Sequence, residues 1–160
     1  ASHLDSPSIA VACGLPIDSL IFLAAKDYDF GYAKVLMNIA PFDRTLEMVG
    51  LLHNVQDCRY YTEQGKHLVI FPEGTRSPTG KMQPFKSAVA LIAAELGLPI
   101  VPVYISGAYG CLPRGHLFPR RGRITVNFGA PLYVKRDEAG DYQAYKTISA
   151  TLREHIEALK

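Results

Sequence analysis

The sequence lacks the long apolar run that a membrane-spanning helix requires. Such a helix needs about 18 uncharged apolar residues, and the nearest candidate, Val89 to Ile105, is interrupted by Glu95, Gly97 and two prolines. A secretory signal is not indicated either, because Ala1 to Asp5 has neither a basic start nor an apolar middle. The sequence does not begin with methionine, so we expect it to be a fragment of a longer protein.

Charge and cysteine are also sparse. The net charge is +2 and the basic residues are scattered, so nucleic acid is not indicated as a partner. The cysteines, Cys13, Cys58 and Cys111, are far apart and form no CxxC pair, which favours a reducing compartment over a disulfide framework. No two of the histidines (His53, His67, His116 and His155 in the body of the chain) have zinc-ligand spacing, so we predict no metal.

Short apolar runs alternate with longer helical patterns, which predicts an α/β fold: a mostly parallel central sheet flanked by helices. The length of 160 residues favours a single domain over 1–160, with its N-terminal part missing. Predicted strands are Ser19–Ala24, His67–Phe71, Pro99–Ile105 and Arg123–Phe128. Predicted helices are 46–65, 84–97 and a C-terminal one carrying Ile148, Leu152, Ile156 and Leu159 on one face.

The stretch FPEGTRSPTG, residues 71–80, directly follows a predicted strand. It is not a P-loop, because five residues separate Gly74 from Gly80 where four are needed, and Met82 replaces the Ser or Thr that would bind magnesium. A GxGxxG dinucleotide motif is also absent from the sequence. Nucleotide binding is therefore not predicted.

Side chains of this turn suit a phosphate site of another kind. Arg76 offers a planar fork of donors, and open α/β sheets bind ligands where strands end. Thr75 and Ser77 would add hydroxyls. A structural interpretation remains open beside this one: Glu73 pairs with Arg76, or the two cap a helix that begins at Pro84.

The same stretch carries a family resemblance. FPEGTRS, Gly80, Phe85-Lys86 and then PIVPV resemble the third and fourth motif blocks of the glycerolipid acyltransferase family, of the lysophosphatidic acid type. Residues 39–44 resemble its arginine-bearing second block, although Pro-Phe replaces the usual aliphatic pair. The resemblance covers nearly the whole chain and implies a glycerol-3-phosphate acyltransferase-like fold. It departs from the family where Ala88 replaces the glycine of Phe-Lys-x-Gly.

The resemblance also implies a catalytic pair, a histidine and an aspartate separated by four residues. The opening ASHLDSP resembles the family's first block, which places Asp5 on the aspartate and the histidine immediately before Ala1. His3 falls on a second, non-catalytic histidine. Imidazole suits removal of a hydroxyl proton near neutral pH, and a carboxylate fixes its tautomer. Alternatively, Asp5 is the N-cap of a helix from Pro7 to Cys13.

The implied reaction moves a fatty acyl group from acyl-CoA or acyl carrier protein to the hydroxyl of a lysophosphatidic acid-like acceptor, in phospholipid biosynthesis, without a cofactor. Two arginines would neutralise the acceptor's phosphate, and a glutamate would position its glycerol. Lys86 is either a further cation or a solvated lysine, and Lys26 is interpreted as solvated. The implied substrate-binding residues are Arg44, Glu73, Gly74, Thr75, Arg76, Ser77 and Lys86.

Long-chain substrates imply a membrane surface as a partner, beside the lysophospholipid, the acyl thioester and acyl carrier protein. We expect the protein at the cytoplasmic face of a membrane, either peripheral or anchored through segments outside this chain. Two alternatives remain open. The chain is a catalytically silent lipid-binding module, or it is the acyltransferase domain of a larger protein that also activates acyl groups.

Overall fold

The computed structural model describes residues 4–25, 37–42, 48–75, 81–112, 116, 118–134 and 142–160. These residues form a mixed α/β structure. Its helices are α1 (Asp5–Ala12), α2 (Met48–Glu63), α3 (Ala88–Leu96), the short α4 (Ala108–Cys111) and α5 (Tyr142–Glu157). Its strands are β1 (Leu20–Ala25), β2 (Asn38–Phe42), β3 (His67–Ile70), β4 (Val103–Ser106) and β5 (Thr125–Phe128).

A parallel three-stranded sheet of order β2-β1-β3 lies at the centre of the described structure. Phe22 of β1 is opposite Ile39 of β2 and Val69 of β3. The central strand is a continuous apolar run because helices cover both of its faces. Leu20 and Phe22 pack with Ala10 of α1 and with Cys13. The prediction of a parallel sheet flanked by helices is confirmed.

The opposite face of β1 is covered by α2 and α3. Ile21 and Leu23 alternate with the residues that face α1, and they form a core cluster with Val55, Cys58 and Ile92. Alternation along a strand sends successive side chains to opposite faces, so one hydrophobic run serves both layers. The result is a three-layer arrangement, with the sheet between α1 on one face and α2 and α3 on the other.

A second pair of strands, β4 and β5, is antiparallel. Val103 is opposite Phe128, and Ser106 is opposite Thr125. Ile100 and Leu132 extend the pairing by exchanging two backbone hydrogen bonds of 2.8 Å. Within the described residues this pair is separate from the central sheet. The periodicity of the sequence predicted both strands but not their direction.

Strand β2 was not predicted from the sequence, because Pro41 interrupts its short apolar run. Proline has no N–H to donate, so it is tolerated in an edge strand. Among the described strands, β2 is at the edge of the central sheet and only β1 pairs with it. The motif resemblance drew attention to residues 39–44 without indicating that 38–42 are a strand.

Two of the helices end at glycines. Gly65 (φ +73°) follows α2, and Gly97 (φ +64°) caps α3, donating its N–H to the carbonyls of Ala93 and Ala94. This left-handed conformation is the usual helix stop, and it favours glycine. At the other end, the prediction that α3 begins at Pro84 is wrong. The helix begins at Ala88, and the backbone N–H groups of Gln83 and Lys86 are bonded instead to the turn that follows β3.

Helix α5 packs on α3 through one stripe. Tyr145 contacts Ala90 and Ala94, and Leu152 and Ile156 pack with Val89. The small alanines let the two helices approach closely. The predicted apolar face of the C-terminal helix is confirmed at Leu152 and Ile156, which are both buried.

Candidate functional site

The turn after β3 contains the first part of the sequence motif. Gly74 donates its N–H to the carbonyl of Phe71 at 3.0 Å and has φ +68°. A residue with a Cβ is strained in this left-handed conformation, so the turn requires glycine. The tight turn places Glu73 directly beyond the C-terminal end of a parallel strand, where α/β sheets bind ligands.

Glu73 holds the next segment of the chain in place. Its Oε2 accepts a 3.0 Å hydrogen bond from the backbone N–H of Gln83. Hydrogen bonds to a carboxylate are stronger than neutral ones. The interpretation that Glu73 caps a helix at Pro84 is wrong, because α3 begins only at Ala88. Its alternative pairing with Arg76 lies outside the described residues.

Lys86 lies against the turn. A Cβ built on Gly74 would be 3.1 Å from Lys86 Cε, 3.2 Å from Cδ and 3.4 Å from Nζ. The backbone of Lys86 is fixed on both sides: its N–H donates to the carbonyl of Pro72 at 2.9 Å, and its carbonyl accepts from the hydroxyl of buried Ser149 at 3.3 Å. A cation is therefore held beside the glycine of the motif.

Asp5 is the first residue of α1 and is only 6% exposed. The hypothesis that it is the N-cap is wrong: Leu4 occupies that position, and no side chain forms a cap hydrogen bond. Asp5 instead belongs to the first helical turn, where the helix dipole favours a negative charge. A buried carboxylate in this place suits the orientation of a neighbouring cationic ring.

A single cavity of about 1340 Å³ joins these elements. Asp5 of α1 and Glu73 of the turn both line it, although 68 positions separate them in the sequence. Apolar side chains of β3 and β4 form much of its wall, including Ile70 and Ile105. Among the predicted residues, Gly74 and Thr75 of the turn and Lys86 beside it do not line the cavity.

Several predicted residues lie outside the described part of the chain. His3 and Lys26 are among them, as are Arg44, Arg76 and Ser77. Their assignments remain predictions. Within the residues that the structure does describe, no group of three or more His, Cys, Asp and Glu side chains is arranged to hold a metal ion.

The structure adds residues that sequence reasoning missed. Gln83 and Ser149 were not singled out, because a backbone N–H and a buried helical serine leave no pattern in a sequence. Gly107 ends β4 and lines the cavity with φ +82°. A side chain there would collide with the carbonyl of Arg123. A glycine two positions after a predicted strand was the available indication.

The fold and site define an α/β acyltransferase domain. The acyltransferase family model matches residues 1–106, and the chain belongs to this family. This confirms the family resemblance seen in FPEGTRS and PIVPV.

The individual proteins that this chain resembles in sequence carry the same name. The 1-acyl-sn-glycerol-3-phosphate acyltransferase of Cocos nucifera is 35% identical over 103 residues, which are 64% of this chain and 33% of that protein. The protein of the same name from Pseudomonas aeruginosa is 29% identical over 107 residues, 66% of this chain and 41% of that protein. The chain thus spans about a third of the length of the curated relatives that it matches.

A solved structure shares the fold. The 1-acyl-sn-glycerophosphate (LPA) acyltransferase PlsC from Thermotoga maritima aligns with a TM-score of 0.65 at 21% identity. The alignment covers 99% of this chain and 62% of that one. None of the described helices of this chain is both long and apolar enough to cross a bilayer.

Proposed function

We propose that this protein is an O-acyltransferase that moves a fatty acyl group from a thioester to the hydroxyl of a lysophosphatidic acid-like acceptor. The observation that carries the proposal is the cavity that Asp5 and Glu73 both line. Family membership and the names of the relatives support the same chemistry. The product would be a phosphatidic acid-like lipid, made for phospholipid biosynthesis.

The proposed base is a histidine at the position immediately before Ala1, with four residues between it and Asp5. Its imidazole takes the acceptor's hydroxyl proton while the oxygen attacks the thioester carbonyl. A new C–O bond forms, the C–S bond breaks, and the thiolate that leaves is protonated by the imidazolium. Asp5 remains ionised and holds the ring in the required tautomer. Its burial strengthens that interaction.

Three cationic side chains would bind the acceptor's phosphate. We assign this role to Arg44 and Arg76, together with Lys86, which the turn and Ser149 hold beside Gly74. A phosphate dianion is neutralised by two such charges. Glu73, bound to the backbone of Gln83, would position the glycerol, while Thr75 and Ser77 would donate hydroxyls.

The apolar wall of the cavity suits an acyl chain. Drug-sized ligands occupy about 300 to 1,000 Å³, and about 1340 Å³ leaves room for an acyl chain beside a glycerol phosphate. The donor in this proposal is acyl-CoA or acyl carrier protein. Because both substrates carry long chains, the enzyme would work at the cytoplasmic face of a membrane.

The test is a comparison of Michaelis constants in Lys86→Ala. Loss of a phosphate-binding cation should raise KM for the lysophosphatidic acid acceptor about tenfold, because a charged hydrogen bond contributes about 1.5 kcal/mol or more. KM for the acyl donor should not change. Arg59→Ala is the matched control, since Arg59 is exposed on α2 and outside the cavity wall.

Two results would contradict the proposal. If Lys86→Ala raised the KM for the acceptor and the KM for the acyl donor equally, Lys86 would not be a phosphate-binding residue. Binding of lysophosphatidic acid by the wild-type protein, without turnover of any acyl thioester, would favour the silent lipid-binding module instead.

A further inference from the structure

The small net charge of the chain conceals a strong asymmetry. Residues 96–136 contain six of the 17 lysines and arginines and none of the 15 aspartates and glutamates. The rest of the chain therefore carries more acidic than basic residues. A segment of one sign on a nearly neutral chain attracts a partner of the opposite sign.

The structure exposes part of this charge together with an aromatic ring close to it in the sequence. Phe118 is 82% exposed, and Arg120, Arg121 and Arg123 beside it are all exposed. We call these four residues the arginine surface. Among the residues that the structure describes, no carboxylate forms a salt bridge with any of its three guanidiniums.

Backbone contacts hold the arginine surface beside the cavity. The N–H of Arg120 donates to the carbonyl of Cys111 at 2.7 Å, and the carbonyl of Arg123 lies against Gly107. Gly122 contacts Cys111 Sγ so closely that a side chain would not fit. Gly107 and Tyr109 line the same cavity as the candidate site. The position of the surface is thus set by backbone contacts to the cavity wall.

We propose that the arginine surface docks the protein on an anionic phospholipid membrane. Three guanidiniums that have no carboxylate partner among the described residues suit lipid phosphates. A phenylalanine that is 82% exposed suits a fluid interface, which accepts a ring without a matching pocket. Docking at this place would bring the cavity next to the lipid from which its substrates come. The inference rests on the proposed function for its purpose, but its test needs no catalysis.

A tryptophan reporter tests the aromatic part. The 160 residues contain no tryptophan, so Phe118→Trp introduces the only indole of this chain. With vesicles of phosphatidylcholine and phosphatidylglycerol in equal parts, the F118W emission should shift to the blue and be quenched by brominated lipid. Tyr133→Trp is the matched control, since Tyr133 is 77% exposed but lies outside the arginine surface, and its emission should not change.

Charge removal tests the electrostatic part by vesicle sedimentation. Arg121→Gln should weaken binding to the anionic vesicles about fivefold, and the variant R120Q/R121Q/R123Q about 10²-fold, because each arginine near such a surface contributes about 1 kcal/mol. Arg59→Gln, on α2, should bind as the wild type does. High salt should remove most of the difference.

Three outcomes would overturn the proposal. One is vesicle binding without any change in F118W emission, and another is an equal blue shift with neutral phosphatidylcholine vesicles. The third is unchanged vesicle binding by the triple variant together with weaker use of acyl carrier protein, which would assign the surface to that acidic protein. Turnover of a short-chain, water-soluble acceptor should be normal in the triple variant, so failure of docking is distinguishable from failure of the proposed catalysis.

Discussion

Gly74 has two roles in the turn: it adopts a left-handed backbone conformation, and it leaves room for the side chain of Lys86. Replacement of Gly74 by alanine, with a matched control, tests the two roles separately. Gly74 has φ +68°, and a left-handed conformation costs a residue with a Cβ about 1 to 2 kcal/mol. Alanine also lowers the entropy of the unfolded chain, which returns about 0.4 to 1 kcal/mol. We therefore expect a net loss of about 1 kcal/mol, or about 3 °C in Tm.

The new Cβ would also press on Lys86. It would be 3.1 Å from Cε and 3.2 Å from Cδ, where ordinary contacts begin at 3.4 Å. The lysine stem is flexible, so it can rotate away, and its ammonium group would leave the turn. The variant should therefore raise KM for the phosphorylated acceptor about as much as Lys86→Ala does, by about tenfold.

Gly97→Ala is the matched control for Gly74→Ala. Gly97 has a similar φ of +64°, and its Cβ would meet nothing within 4 Å. Thermal unfolding followed by circular dichroism should show similar losses of stability in the two variants, whereas only Gly74→Ala should change the acceptor KM. The double variant G74A/K86A should have the same acceptor KM as Lys86→Ala alone, since both changes remove one interaction.

Two results would refute this reasoning. If Gly97→Ala raised the acceptor KM as much as Gly74→Ala, general destabilisation would explain the effect. If the effects of Gly74→Ala and Lys86→Ala on KM multiplied in the double variant, the glycine would not act through the lysine.

Two further predictions concern buried ionisable groups. Burial, with a smaller contribution from Asp57, raises the pKa of Cys58 to about 12 from its ordinary 9.0. Between these values the unfolded state loses the thiol proton and the folded state keeps it, so stability should fall as pH rises, by up to about 1.4 kcal/mol per pH unit. Urea unfolding between pH 9 and 11 should show a shallower decline in Cys58→Ala, and parallel declines would contradict the assignment. Asp5→Asn keeps the shape of the side chain but not its charge, and should lower kcat by as much as about 10⁴-fold with little change in either KM. A kcat within a few-fold of wild type, in a variant with an unchanged circular dichroism spectrum, would remove Asp5 from the catalytic pair.

Much of the local structure was predictable because it depends on neighbours in the sequence. The apolar run of β1 and the stripe of Leu152 and Ile156 follow from periodicity. Gly97 stops its helix through its own conformational freedom. The start of α3 was predicted wrongly, because Pro84 favours a helix start locally while Glu73 and Pro72 bind the same segment from another part of the chain.

The candidate site divides in the same way. The family resemblance and the FPEGT turn could both be recognised from consecutive residues of the sequence. The family match confirms the family. Ser149 and Gln83 escaped notice because each acts through a single hydrogen bond to a distant segment. The charge asymmetry of residues 96–136 is visible in the sequence, but the exposure of Phe118 and of the arginines that follow it is not.

The sequence by itself determined most of the strands and helices, where glycine ends the helix before it, and which family the chain belongs to. Only the tertiary structure decided that Asp5 and Glu73 share a cavity, that Lys86 lies against Gly74, and that β4 and β5 are antiparallel. The physical reason is the distance along the sequence over which each effect acts. Propensity and periodicity act over a few residues, whereas these contacts depend on the order and direction in which distant strands pack.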